Sequence, residues 1–114
     1  MTERAIDPNE AVDYLLRNAK KFSNARAERI YLEEFRKSKK ALLMKEAMLN
    51  GFESAVAQER EAYAHPDYLE LLKGIRDAVQ IEEELRWHMV AAQARVEIWR
   101  SQEATARNES KLLT

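Results

Sequence analysis

The stretch EREAYAHPDYLELLKGIRDA, residues 59–78, contains the strongest helix boundary in the chain. Proline lacks a backbone N–H and clashes with the preceding helical turn, yet it fits the first turn of a new helix. Asp67 follows directly, and a carboxylate near a helix N-terminus interacts favourably with the helix dipole. His65-Pro66 therefore predicts the end of one helix and the start of the next.

Downstream of Pro66, apolar residues recur at alternating spacings of four and three, the heptad pattern of coiled coils. No strong breaker occurs before Asn108. A helix over 66–108 would be about 64 Å long at 1.5 Å per residue. Its predicted seam consists of Leu71, Ile75, Ala78, Glu82, Leu85, Met89, Ala92, Val96 and Trp99.

Upstream of Pro66, a second heptad pattern runs straight across Asn50-Gly51. Its members are Tyr31, Phe35, Leu42, Leu49, Phe52, Val56 and Tyr63. Because one interior glycine costs only about 1 kcal/mol, we expect a kink at Gly51 rather than an end. Ser23-Asn24 offers a start signal, so this second helix is predicted over about 24–64.

A short first helix is predicted from Asp7-Pro8, since Asp caps free N–H groups and Pro fits the first helical position. It should run over about 8–21, with Ala11 and Leu15 on one face. The chain then forms a single helical domain over 1–114. Its fold class is all-α, a long antiparallel, coiled-coil-like helical hairpin with a short N-terminal helix.

A polar pair interrupts the two predicted seams, at Lys45 and Glu82. In a hairpin that reverses near residue 65, facing residues have numbers that sum to about 130. Lys45 and Glu82 then fall within about one helical turn of each other. We predict an interhelical pair that fixes register; the alternative is that each side chain extends separately to solvent.

Composition limits the class of protein further. The 114 residues are 46% apolar and 34% charged, with two glycines, two prolines and no cysteine. Because the sequence contains no cysteine, we predict neither a disulfide framework nor a thiolate metal site. Neither an apolar signal core nor an apolar run long enough for a membrane span is found, so we expect a soluble protein of the cytoplasm, without membrane contact.

Apolar residues exceed what one stripe on each helix can hold. Outside the seams lie, for example, Ile30, Leu43, Leu69, Trp87 and Ile98. Large exposed apolar patches are uncommon on monomers. We therefore predict a homo-oligomer.

Enzymatic chemistry is not indicated by any motif. The two histidines, His65 and His88, are not part of an HExxH motif or of a base–carboxylate arrangement, and a glycine-rich phosphate loop is lacking. We predict that the protein is not an enzyme and has no catalytic residue, metal or cofactor. His88 is interpreted as an interface residue beside the heptad seam.

Charge is strongly segregated, although the net charge is only −1. Residues 17–45 carry +7 and residues 46–85 carry −7. On a helical wheel, Arg26, Arg29, Arg36, Lys37 and Lys40 lie opposite the predicted seam, as an outward stripe. Such a stripe can follow nucleic-acid phosphates without reading sequence; alternatively, the acidic segment of another copy neutralises it. The predicted nucleic-acid-binding residues are Lys20, Lys21, Arg26, Arg29, Arg36, Lys37, Lys39 and Lys40.

The basic run KSKKALLMKEAML, residues 37–49, followed by LRWHMVAAQARVEIWRS, residues 85–101, resembles the UvsY type of phage recombination mediator. Lys39-Lys40 and Lys45 match basic positions of that family, and Leu85-Arg86-Trp87 matches its aromatic-containing segment. Ala47 stands where the family has a further basic residue. The resemblance covers roughly residues 15–100. It implies a small helical protein that assembles into rings and binds single-stranded DNA, and whose other partners are a recombinase and single-strand-binding protein.

The leading hypothesis is thus an oligomeric single-stranded DNA-binding accessory protein of phage recombination, located in the host cytoplasm. The main alternative is a helical protein-interaction module, an adaptor or an inhibitor of a host protein, that uses the acidic segment 46–85. A third hypothesis is a purely structural assembly protein that binds neither nucleic acid nor a host protein.

Overall fold

A computed structural model describes residues 5–113, and these residues form helices without any strand. Helix α1 spans Pro8–Leu49, α2 spans Ala55–Ala64 and α3 spans Pro66–Leu113. The predicted all-α class is confirmed. Over the same residues, no helix has an apolar run long enough to cross a membrane.

Helix α1 begins as predicted but does not end near Lys21. The Asp7 carboxylate accepts hydrogen bonds from the backbone N–H groups of Asn9 and Glu10, at 2.9 and 3.4 Å. The Ser23 hydroxyl, by contrast, donates to the carbonyl of Lys20 at 3.0 Å, as a serine inside a helix does. The predicted boundary at Ser23-Asn24 is therefore wrong, and the two predicted helices are one helix of 42 residues.

Gly51 ends α1, which corrects the prediction of a helix continuous through this residue. The N–H of Phe52 donates to the carbonyl of Ala47, and that of Gly51 to the carbonyl of Met48, at 3.1 and 3.2 Å. These two bonds define a Schellman motif, in which the residue after the C-cap adopts a left-handed conformation. Gly51 has φ of 100°. The apolar residues do keep heptad spacing across Gly51, but the helix ends before this residue, as the Asn50-Gly51 signal indicates.

Two capped boundaries set the position of α2. Ser54 accepts a hydrogen bond from the N–H of Ala57 at 3.1 Å, and His65 ends the helix. His65 then accepts, through Nδ1, a hydrogen bond from the N–H of Asp67 at 3.0 Å. The predicted boundary at His65-Pro66 is confirmed, while α3 continues beyond the predicted end near Asn108.

The chain divides into two units, and the prediction of a single domain stays a prediction. The first unit contains the chain up to Ser23 and from Glu83 onward; the second is Asn24–Glu82. In the first, Ala11 and Ala92 are buried. In the second, α1 and α3 run antiparallel, since α1 residues 29 and 39 contact α3 residues 82 and 67 respectively.

The core of the Asn24–Glu82 unit is small and tightly packed around α2. Leu43, Ala62 and Tyr68 form one buried cluster, against which Met44 packs. Ala62 has no exposed surface at all. Because alanine lacks a bulky side chain, α2 approaches its neighbours closely at this point.

The predicted seam of α3 is confirmed, because every one of its nine members is buried or half-buried. The predicted seam of helix 2 is wrong. Tyr31, Leu42 and Leu49 are 63%, 58% and 74% exposed. The inward face of α1 instead carries Leu32, Leu43 and Ala47.

The bulkier apolar pattern on α1 therefore lies on its outward face. We call it the outer stripe; its members are Tyr31, Phe35, Ser38, Leu42, Lys45 and Leu49. The inward face has the small, buried Ala47 near the end of α1, where neighbouring elements can approach closely. The four-and-three spacing of the outer stripe did not reveal that this stripe is exposed.

Candidate nucleic-acid interface

All eight predicted nucleic-acid-binding residues lie on α1, but they fall into two groups. Five are exposed: Lys20, Lys21, Arg26, Arg36 and Lys37. Three are half-buried and contact carboxylates of other elements: Arg29, Lys39 and Lys40. The predicted continuous outward stripe is therefore wrong at Arg29 and Lys40, which point inward.

Arg29 is held by Glu82 of α3. Its Nε and Nη2 atoms donate to the two carboxylate oxygens of Glu82, the second at 3.1 Å, and Nη1 donates to Glu33 at 3.1 Å. The side chain of Glu82 is only 10% exposed. The hydrogen bond to Glu82 raises the pKa of Arg29 above its ordinary value, despite an opposing effect of burial. Two-pronged pairing of this kind leaves Arg29 little freedom to contact a phosphate.

Lys40 and Lys39 contact acidic residues of α2 and α3. The Nζ of Lys40 lies 3.7 Å from a carboxylate oxygen of Glu59 and 4.8 Å from the ring centroid of Tyr63. A hydrogen bond with Tyr63, and then the charge of Glu59, raise the pKa of Lys40. The Nζ of Lys39 lies 3.8 Å from Asp67. The acidic segment of the same chain thus neutralises this end of the basic cluster.

The five exposed cations have a different environment. Over residues 5–113, Lys20, Lys21, Arg26 and Arg36 have no ion-pair partner within 4.0 Å. Lys37 pairs with Glu34 at 3.2 Å, with both side chains largely exposed, so the pair contributes little and is easily exchanged. These five residues are what remains of the predicted interface for a polyanion.

The predicted pair between Lys45 and Glu82 is wrong. Glu82 contacts Arg29, and Lys45 is exposed on the outer stripe. The prediction failed because it placed the chain reversal at residue 65, whereas α1 already ends at Leu49. With a reversal near residue 55, facing residues sum to about 110, and Glu82 then faces Arg29 within one helical turn. If Asn50-Gly51 had been interpreted as the end of the helix, the chain reversal would have been placed correctly and Arg29 would have been predicted as the partner of Glu82.

A cavity of about 420 Å³ lies in the unit that contains both chain ends. Its lining residues include Arg17, His88 and Arg95, the acidic Asp7 and Glu10, and the buried Ala11 and Ala92. His88 is exposed there, and its predicted role at an interface stays a prediction. Among residues 5–113, no group of three or more His, Asp or Glu side chains is arranged to hold a metal ion.

Comparison with known proteins finds no matching family model, no matching curated protein and no matching solved structure.

Proposed function

We propose that this chain is a non-enzymatic, self-associating helical protein that holds single-stranded DNA as an accessory of phage recombination, similar to the UvsY type of mediator. The observation that carries the proposal is the group of five exposed cations on α1, four of which, Lys20, Lys21, Arg26 and Arg36, have no carboxylate partner within 4.0 Å among residues 5–113. The predicted loading of a recombinase, and contact with single-strand-binding protein, are parts of the same proposal.

The exposed cations support an electrostatic and sequence-independent mode of binding. Lys20 and Lys21 lie in the first unit, whereas Arg26, Arg36 and Lys37 lie in the Asn24–Glu82 unit, and all five are exposed residues of α1. Each phosphate contact to a single strand would contribute about −0.7 to the slope of log K against log salt. Because one chain offers few contacts, useful affinity requires several copies on one strand.

Self-association is supported by the large apolar side chains that are exposed on each unit. Leu16 is 72% exposed and Val56 is 71% exposed. Large exposed apolar patches are uncommon on monomers and mark interaction sites.

Fluorescence anisotropy of a labelled single-stranded oligonucleotide at low salt tests the nucleic-acid part. Replacement of Lys20, Lys21, Arg26 and Arg36 by Gln should weaken binding by about tenfold or more and flatten the salt dependence. The matched control replaces four other exposed cations, Arg60, Arg95, Arg100 and Arg107, by Gln, with the same change in net charge. Absence of binding by the unaltered protein at low salt, or an equal loss in both variants, would refute the proposal.

A second candidate is the protein-interaction module that uses the acidic segment 46–85. The observation in its favour is that this segment exposes the apolar Phe52 and Val56 as well as the carboxylates of Glu53 and Glu61, and that Phe52 and Glu61 line the same small cavity. An apolar surface with an acidic rim fits a basic partner protein. This candidate predicts no change in oligonucleotide anisotropy at any salt concentration.

A further inference from the structure

The outer stripe has the spacing of a coiled-coil seam, but apart from the half-buried Phe35 its members are exposed. Its members alternate at four and three residues from Tyr31 to Leu49, over about 27 Å of α1. Tyr31, Leu42 and Leu49 are each more than half exposed. The rings of Tyr31 and Phe35 are stacked, with centroids 6.1 Å apart, and form the aromatic end of the stripe.

Charge on the stripe limits how a second copy can pack there. Lys45 occupies a seam position, is exposed, and has no ion-pair partner among residues 5–113. A parallel copy in register would place Lys45 against Lys45 of the other copy, which is unfavourable. If the stripes of two antiparallel copies overlap fully from residue 31 to residue 49, facing residues have numbers that sum to 80. Lys45 of one copy then lies opposite Phe35 of the other, next to Glu34 of that other copy.

Glu34 is suited to that contact. Its side chain is 68% exposed, and its existing pair with Lys37 is a surface pair on one helix. Exposed pairs of this kind are worth little and exchange partners readily. In the antiparallel arrangement, Lys45 lies over the ring of Phe35 and reaches Glu34 of the second copy. Ser38, the remaining polar member, faces Leu42.

We propose that the outer stripe is the self-association surface of this protein, and that a second copy packs along it in antiparallel orientation. The proposal rests on the self-association part of the proposed function and specifies its surface and geometry. Exposed apolar side chains outside the stripe, such as Leu16 and Val56, remain for a further contact, as an assembly beyond a dimer requires.

Light scattering of the full chain over a concentration series provides the first test. Leu42→Glu places a charge in the centre of the stripe and should raise the dissociation constant by about tenfold or more, as for a residue at the centre of an interface. Ile81→Glu is the matched control, because Ile81 is 55% exposed, close to the 58% of Leu42, and lies on α3 rather than on the stripe. Far-ultraviolet circular dichroism should show both variants equally helical.

Orientation is tested by double electron–electron resonance on a Glu28→Cys variant carrying a spin label. The native chain has no cysteine, so the label is unique to this position. The antiparallel arrangement places the two labels about 36 Å apart along the axis, whereas a parallel one places them side by side.

The outcomes separate the two levels of the proposal. A monomer at every concentration overturns the self-association part of the proposed function together with this inference. Association that survives Leu42→Glu, or that Ile81→Glu weakens equally, overturns only the assignment of the surface. A short distance between the labels overturns the antiparallel orientation.

Discussion

Replacement of Gly51 by Ala isolates the energy of one backbone conformation. Gly51 has φ of 100°, and a Cβ built there meets no atom within 4 Å, so the substitution changes backbone preference without a steric clash. An L-residue in the left-handed region costs about 1–2 kcal/mol. Alanine also lowers the conformational entropy of the unfolded chain relative to glycine, which offsets about 0.4–1 kcal/mol of this cost. We expect Gly51→Ala to lower the free energy of unfolding by about 1 kcal/mol.

Gly74→Ala is the matched control and should have the opposite sign. Gly74 lies inside α3, and a Cβ there also has open space around it. Alanine in a helix interior is favoured over glycine by about 0.5–1 kcal/mol. The two variants should therefore differ by about 2 kcal/mol, or about 8 °C in melting temperature for a chain of this size.

The assay is urea unfolding followed by circular dichroism, together with thermal melting at one fixed protein concentration, since association shifts the transition. Gly51→Asn should fall between the wild type and Gly51→Ala, because asparagine tolerates the left-handed region better than alanine. If Gly51→Ala were as stable as the wild type or more so, residue 51 would be helical and the reversal after α1 would be refuted.

Two further predictions concern the charged contacts of α1. In a double-mutant cycle measured by urea unfolding, Glu82→Gln should be energetically coupled to Arg29→Gln, because the two side chains are in contact. It should be uncoupled from Lys45→Gln. Coupling to Lys45→Gln instead would support the Lys45–Glu82 pair and contradict the Arg29–Glu82 contact. The raised pKa of Lys40 means that its contribution to stability is complete below the ordinary value of 10.5 and is lost as pH rises through the higher value in the folded state. Urea unfolding across that range should show a loss of stability at alkaline pH that is smaller in Lys40→Met, and equal losses in both proteins would contradict the assignment.

The parts of the fold that the sequence predicts correctly are those governed by a single dominant signal. Pro66 cannot continue a helix, so its boundary follows from covalent structure. The α3 seam extends over nine positions with consistent spacing, and a pattern of that length outweighs local irregularity. The cap at Asp7 is likewise a local hydrogen-bonding arrangement within two to three residues.

The errors arise where two local signals compete. Ser23-Asn24 has the composition of a cap, but half-buried Phe22 and Ala25 on either side keep α1 continuous. At Gly51 a heptad pattern competes with a stop signal, and the Schellman hydrogen bonds decide the outcome. That single error moved the point of reversal and, with it, the predicted partner of Glu82.

The candidate site depended on the same error. The helical wheel predicted that Arg29 and Lys40 face outward because it took Tyr31 and Leu42 as the inward side of the helix. In the structure Tyr31 and Leu42 are exposed. Centred on Leu32 and Leu43, the same wheel turns these two cations toward the other helices. A wheel assigns relative positions on one helix, but only the partner helix determines which sector is inside.

The contact between Arg29 and Glu82 bears on which insertions and deletions the chain can tolerate. A heptad seam is nearly degenerate, because sliding α3 by seven residues along α1 again places apolar side chains against apolar side chains. Such a slide would bring Ile75 or Met89 opposite Arg29 and leave a cation without its carboxylate. A seven-residue length change in α2 or its flanking turns would keep the apolar pattern but break this ion pair, so the loss of one contact should make such a change destabilising.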